Sequence, residues 1–246
     1  MILSESKIRR FIKNVILKEY QRASSSSPDI NYKYKDSSDD NDNLEAYSGP
    51  LVSERNGKKY LGDPSIGLSP PGFWDNFRNE LNSHIQKSYP ELGFRIDNLG
   101  ITRDLEAAAD TGGNTARVAG SKHGAGLAQD CYFHTKTYGE YTSYKTMNPI
   151  LSKDQKLVNA IIDFVNNNYS DKIVWGGSFG GGISLNKLPT GRGITEFHHF
   201  EFKNNLMPSF FASQEEELSK LGLSSSEITS TKVLASLYNK ILGKET

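Results

Sequence analysis

Near the start of the chain, Ile8, Phe11, Ile12, Val15 and Ile16 recur at helical spacing, while Lys7, Arg9, Arg10, Lys13 and Lys18 fill much of the opposite face. The pattern predicts an amphipathic helix over 4–22, within a docking segment 1–22. A basic amphipathic helix binds a membrane surface or a protein groove. This one has no Trp and is expected to dock on protein. The apolar pattern then stops. Residues 23–49 hold a serine run and Asp29, Asp36, Asp39, Asp40 and Asp42 among Asn and Ser. Such a stretch buries too little apolar surface to offset chain entropy, so a flexible linker is expected.

Periodicity resumes near Pro50. Trp74, Phe77, Leu81 and Ile85 form a helical stripe that ends at Pro90. Phe94 to Ile101 suits a strand. Ser152 and Gln155 suggest a capping box before a helix with Leu157, Val158, Ile161, Ile162 and Val165 on its apolar face. Short strands are expected over Lys172 to Trp175 and Ile194 to Phe202, separated by a glycine-rich loop from Gly176 to Gly193. After Pro208, Leu234, Leu237 and Ile241 mark a helical tail. Helices and short strands without βαβ alternation predict an α+β fold, a small antiparallel sheet with flanking helices. The expected division is a docking helix over 1–22, a linker over 23–49, a folded domain over 50–207 and a helical extension over 208–246.

Composition narrows the choices. The chain has 246 residues, of which 36% are hydrophobic, enough for one sizeable core plus appendages. With 29 basic and 29 acidic residues, nothing calls for a nucleic-acid partner. Cys131 is the only cysteine, which excludes an intrachain disulfide. No apolar run is long enough for a transmembrane helix, and no secretory signal is readable.

The chemistry concentrates in two stretches. Ser121-Lys-His123-Gly-Ala-Gly126-Leu-Ala128-Gln-Asp130 places an imidazole and a carboxylate seven residues apart among small residues. Zinc accepts both ligand types, and glycines let the backbone segments approach. Downstream, Glu196-Phe-His198-His199-Phe-Glu201 offers a third ligand and an unligated carboxylate. Three protein ligands leave a fourth position for water, whose pKa the metal lowers. A nearby carboxylate then serves as general base and acid. On an ideal strand Glu196 and His199 would face opposite sides, so sharing a site requires a turn or bulge, or a strand that begins after Glu196. His198, His134 and Glu201 have both structural and site-supporting readings, and Cys131 reads as a small buried residue.

The first stretch resembles the S-x-H-x-x-G-x-A-x-D motif of the zinc D-Ala-D-Ala carboxypeptidase and L-alanyl-D-glutamate endopeptidase family, which includes phage endolysins. Glu196, His199 and Phe200 match its second motif, E-x-x-H followed by an aromatic. The resemblance spans about residues 72 to 203. It implies a hedgehog/DD-peptidase-like fold, zinc held by His123, Asp130 and His199, and Glu196 as catalytic base. Many members carry an arginine before the first motif that holds a substrate carboxylate. Arg103 in Gly100-Ile-Thr-Arg103 sits there, and Arg117 competes for the role. Ser121 belongs to the motif. Trp175-Gly176-Gly177 repeats the start of the endopeptidases' W-G-G-D-W, with Ser178 and Phe179 departing from it, and Trp175 reads equally as a core residue or as a wall of the substrate pocket.

The resemblance implies hydrolysis of a peptidoglycan stem-peptide bond, of L-Ala-D-Glu or D-Ala-D-Ala type. The implied setting is a phage virion, or host cytoplasm before release to the cell wall, with the N-terminal helix docked on a protein partner. The alternative is a catalytically silent structural, virion or binding protein on the same zinc fold.

Overall fold

The Asn56-Gly57 pair, with φ of 55° and 71°, turns the chain between strands β1 (Val52–Arg55) and β2 (Lys58–Leu61), which pair antiparallel. Both turn residues occupy the left-handed region that a tight hairpin requires. In the computed structural model, residues 47–109, 120–135, 139–140, 155–178 and 196–244 are described. The predicted helix over 4–22, most of the predicted linker, Arg117 and most of the glycine-rich loop lie outside them.

The architecture is α+β, with two small antiparallel sheets and flanking helices. The larger sheet contains β3 (Arg95–Gly100), β4 (Ala128–Thr135), β5 (Gly139–Glu140), β6 (Ile173–Trp175) and β7 (His199–Phe202). Its order is β3-β4-β7-β6, with β5 paired to the far end of β4. β4 and β7 are therefore central neighbours although about seventy residues separate them in sequence.

Alternation divides this sheet into a packed face and a chemical face. Cys131, Phe133, Phe200 and Phe202 are fully buried. Helices α1 (Phe73–Ser88) and α3 (Gln155–Asn168), with the short α2 (Leu105–Ala109) between them in sequence, are the two that cover that side, with Phe77 centred 4.9 Å from Phe200 and 5.7 Å from Phe164. The α1 stripe is the one the periodicity predicts: Trp74, Phe77, Leu81 and Ile85 are all buried. In α3, Phe164 is buried whereas Ile162 is only partly so. Residues 151–154, which would contain the predicted cap of α3, lie outside the described set. Asp130, His199 and Glu201 project from the other face.

Three short helices follow β7: α4 (Met207–Phe211), α5 (Glu215–Lys220) and α6 (Thr231–Leu242). This expected extension is part of the same core. Phe210, Phe211, Leu234, Leu237 and Tyr238 are buried, and the Tyr238 hydroxyl donates to the Ser121 carbonyl at 2.9 Å. The domain also starts earlier than the predicted boundary at 50. Tyr47 packs against the core, the Gly49 carbonyl accepts from Gln214 at 2.8 Å, and the Leu51 amide donates to Glu217 at 3.2 Å. Among the described residues, no helix is long and apolar enough to cross a membrane.

Candidate metal centre

A 3-10 turn over Lys122–Ala125 precedes β4 and places His123 beside the sheet. Gly126 ends the turn at φ 70°, where an L side chain is strained, and a Cβ there would collide with the Ile66 carbonyl. The buried Trp74 indole donates to the Gly126 carbonyl at 2.9 Å, fixing the same corner from the helix side. Gly124 is crowded by Ala108 and the Tyr238 ring. Gly126 is thus required by the approach of neighbouring backbone and Gly124 by the packing of side chains against it.

The second stretch reaches the site through a turn. Glu196 precedes β7, Phe197 and His198 form the turn, and the His199 amide donates to the Glu196 carbonyl at 3.0 Å. The chain therefore takes the option in which the strand begins after Glu196. A Cβ placed on Gly176 would lie 3.0 Å from His199 Cβ and 3.1 Å from Glu196 Cβ, so both side chains leave the backbone beside that glycine. Trp175 is 4% exposed, donates its indole N–H to the Phe197 carbonyl at 2.9 Å and lies in the core. Of its two readings the structure favours the core one: the ring braces the Glu196–His199 turn.

Asp130 and His199 are directly paired across β4 and β7. His199 Nδ1 is 2.9 Å from Asp130 Oδ1 and 3.3 Å from His123 Nε2, and His123 Nε2 is 3.3 Å from Asp130 Oδ1. Tetrahedral bonds of about 2.0–2.2 Å separate ligand atoms by about 3.3–3.6 Å, which the two His123 separations match, while Asp130 and His199 are drawn closer by their hydrogen bond. His123, Asp130 and His199 are positioned to hold a metal ion.

Each ligand is oriented by a second group, as metal-binding side chains generally are. His123 Nδ1 lies 3.0 Å from the Ile101 carbonyl and donates to it, which leaves Nε2 facing inward. His199 Nε2 lies 3.2 Å from Glu201 Oε2. Arg103 sits at the rim, half-exposed, with Nη2 3.7 Å from Asp130 Oδ2 and its amide donating to the His123 carbonyl. Ser121 contributes its backbone: its carbonyl accepts from Gly124 and Tyr238. His198 Nε2 is 3.8 Å from Asp130 Oδ1, next to the three convergent atoms.

The charges follow the geometry. Burial alone would raise the Asp130 carboxyl, but hydrogen bonds and charge from His123 and His199 hold it far below the usual carboxylate range. Burial opposes a charged His199, yet the hydrogen bonds to Asp130 and Glu201 outweigh it and push the ring up to about 9. For His198 burial dominates and lowers the pKa. Burial pushes the Cys131 thiol up, in keeping with an inert core residue.

Two assignments depart from the sequence reading. His134 does not support Asp130: it shares that face of β4 but sits four residues along and pairs with Asp97 at 3.0 Å. Lys122, passed over in sequence, is 3% exposed with Nζ 2.8 Å from Glu201 Oε1. Its place beside a ligand histidine is the only sequence signal it gives.

Compared with models of known protein families, with curated proteins and with solved structures, the chain matches none.

Proposed function

We propose that this chain is a zinc-dependent peptidase acting on a peptidoglycan stem peptide. The observation that carries the reading is the convergence of His123, Asp130 and His199, with ligand atoms within 4.8 Å of one another and Glu196 leaving the backbone beside His199. The donor set of two imidazoles and one carboxylate suits zinc and leaves a coordination position open. When bound, the ion supplies Lewis acidity to a peptide carbonyl and lowers the pKa of water.

The chain's own residues do the rest. Glu196 takes a proton from the attacking water and returns one to the leaving amine, a role that needs a carboxylate next to the ligands but outside their set. Arg103, half-exposed at the rim, offers a planar pair of donors to a substrate carboxylate, and stem peptides carry several. Glu201 and the Ile101 carbonyl engage the outer nitrogens of His199 and His123, and the inner nitrogens converge on Asp130.

The test is zinc content together with muropeptide release, on wild type and on Glu196→Ala. Wild type is expected to hold one zinc per chain and cleave. Glu196→Ala is expected to keep zinc and lose about 10²–10⁴-fold in rate. Zinc without cleavage of any wall type would instead favour a silent binding or structural protein. A wild type that takes up no zinc would overturn the proposal.

A further inference from the structure

The turn before β7 carries a third histidine whose ring goes where strand alternation would not send it. His198 lies two residues before Phe200, which is buried on the packed face of the sheet. On a regular strand the two side chains would share that face. The chain instead turns over 196–199, where the His199 amide donates to the Glu196 carbonyl at 3.0 Å. His198 Nε2 consequently lies 3.8 Å from Asp130 Oδ1, on the chemical face. The backbone is pinned in that position, with the Cys131 amide donating to the His198 carbonyl at 2.8 Å.

The ring is placed to meet a bound peptide rather than to complete the metal shell. His123 Nε2 stands 3.3 Å from both Asp130 Oδ1 and His199 Nδ1, whereas His198 Nε2 keeps 3.8 Å from Asp130, beyond hydrogen-bond range. Of the three histidine side chains it is the most open, 12% exposed against 5% for His123 and 9% for His199. It is also near enough to Glu196 for that charge to act on the ring. On the other side of Asp130, Arg103 Nη2 is 3.7 Å from Oδ2. An imidazole edge thus stands by one oxygen of this carboxylate and a guanidinium by the other. An imidazole nitrogen donates or accepts according to its proton, and a peptide group presents both a carbonyl and an N–H, so either tautomer can pair with one.

We propose that His198 is a substrate-contacting residue of this centre, hydrogen-bonded through its ring to a peptide group beside the scissile bond, and not a fourth ligand. The inference rests on the peptidase reading above and deepens it. A stem peptide lies across Asp130, with a carboxylate at Arg103 and a backbone amide at His198.

The experiment uses the full chain, zinc, and a synthetic stem peptide that contains both an L-Ala-D-Glu and a D-Ala-D-Ala bond. Zinc affinity is read by competition with a chromophoric chelator. Peptide binding to the zinc-stripped protein is read by NMR titration, and KM and kcat by cleavage with zinc loaded. His198→Phe keeps the bulk of the ring and removes its nitrogens. It is expected to hold zinc within about twofold of wild type, to bind the peptide about 3–10-fold more weakly, and to raise KM by a similar factor with little change in kcat. His198→Gln, which can donate and accept, is expected to recover part of the loss. His198→Ala serves if circular dichroism shows that His198→Phe fails to fold. A folded variant that loses zinc affinity by more than about tenfold would make His198 a ligand and overturn the proposal. Peptide binding and KM both within about twofold of wild type would overturn it as well. Failure of the peptidase reading is a separate result, in which wild type itself holds no zinc or cleaves neither bond.

Discussion

The two halves of the candidate metal centre reach the same end by different means. The His123 half is built by backbone packing: Gly126 in the left-handed region, Gly124 against Tyr238, and a neutral carbonyl from Ile101 on the outer nitrogen. The His199 half is built by charge: a carboxylate on the outer nitrogen, a buried lysine behind it, and Asp130 directly across the seam. A site assembled this way joins a shape-determined ligand to a charge-determined one. The halves should therefore respond to different perturbations.

Removing a ligand strikes both. His123→Ala and His199→Ala are each expected to abolish stoichiometric zinc binding, read by metal analysis after dialysis, since two protein ligands make a poor zinc site. The next largest effect should separate the halves. Gly126→Ala forces a side chain into a left-handed backbone and against the Ile66 carbonyl, so a loss of about 2–5 kcal/mol is expected in urea unfolding. A variant as stable as wild type would show that the His123 half does not depend on that corner.

pH should act on the charged half. The folded-state pKa of His199 is raised to about 9 from 6.5, so its contribution to zinc-stripped stability is full below pH 6.5 and is lost as pH rises through about 9. Zinc and that proton compete for Nδ1, so zinc affinity should climb about tenfold per pH unit toward pH 9. Denaturation and chelator competition across this range check both signs. Affinity that falls over the same interval would contradict the assignment.

Trp175→Phe should have the smallest effect. It leaves the Phe197 carbonyl without its indole donor, at a cost of about 1–3 kcal/mol. It should also weaken cleavage and zinc affinity together, because the braced turn starts at Glu196 and ends at His199.

How far the sequence speaks depends on what kind of contact is involved. The α1 stripe was legible because Trp74, Phe77, Leu81 and Ile85 repeat with the helix and nothing overrides them. Asp130 and His199 were legible through motif spacing, although their direct pairing belongs to the sheet register. The β1–β2 hairpin went unpredicted despite its Asn56-Gly57 signal, since its strands carry charged residues and little apolar alternation. Lys122 was hidden because lysine is normally solvated, and its burial depends on a carboxylate 79 residues away. Trp175 is open in sequence between core and pocket wall, because the motif it resembles does not say which way the ring turns, and its indole donates to a buried carbonyl. Local periodicity is written in one segment; pairing across a seam needs two.

The register that sets Asp130 opposite His199 would also make a bound metal a cross-link. Their hydrogen-bonded atoms are separated by 69 residues of chain, and with one cysteine the protein has no intrachain disulfide to close such a loop. An ion shared by the two strands would restrict the unfolded ensemble as a disulfide does, on the order of 4 kcal/mol in a chain-entropy account. Loading the metal would then be a late folding step that locks the centre of the sheet.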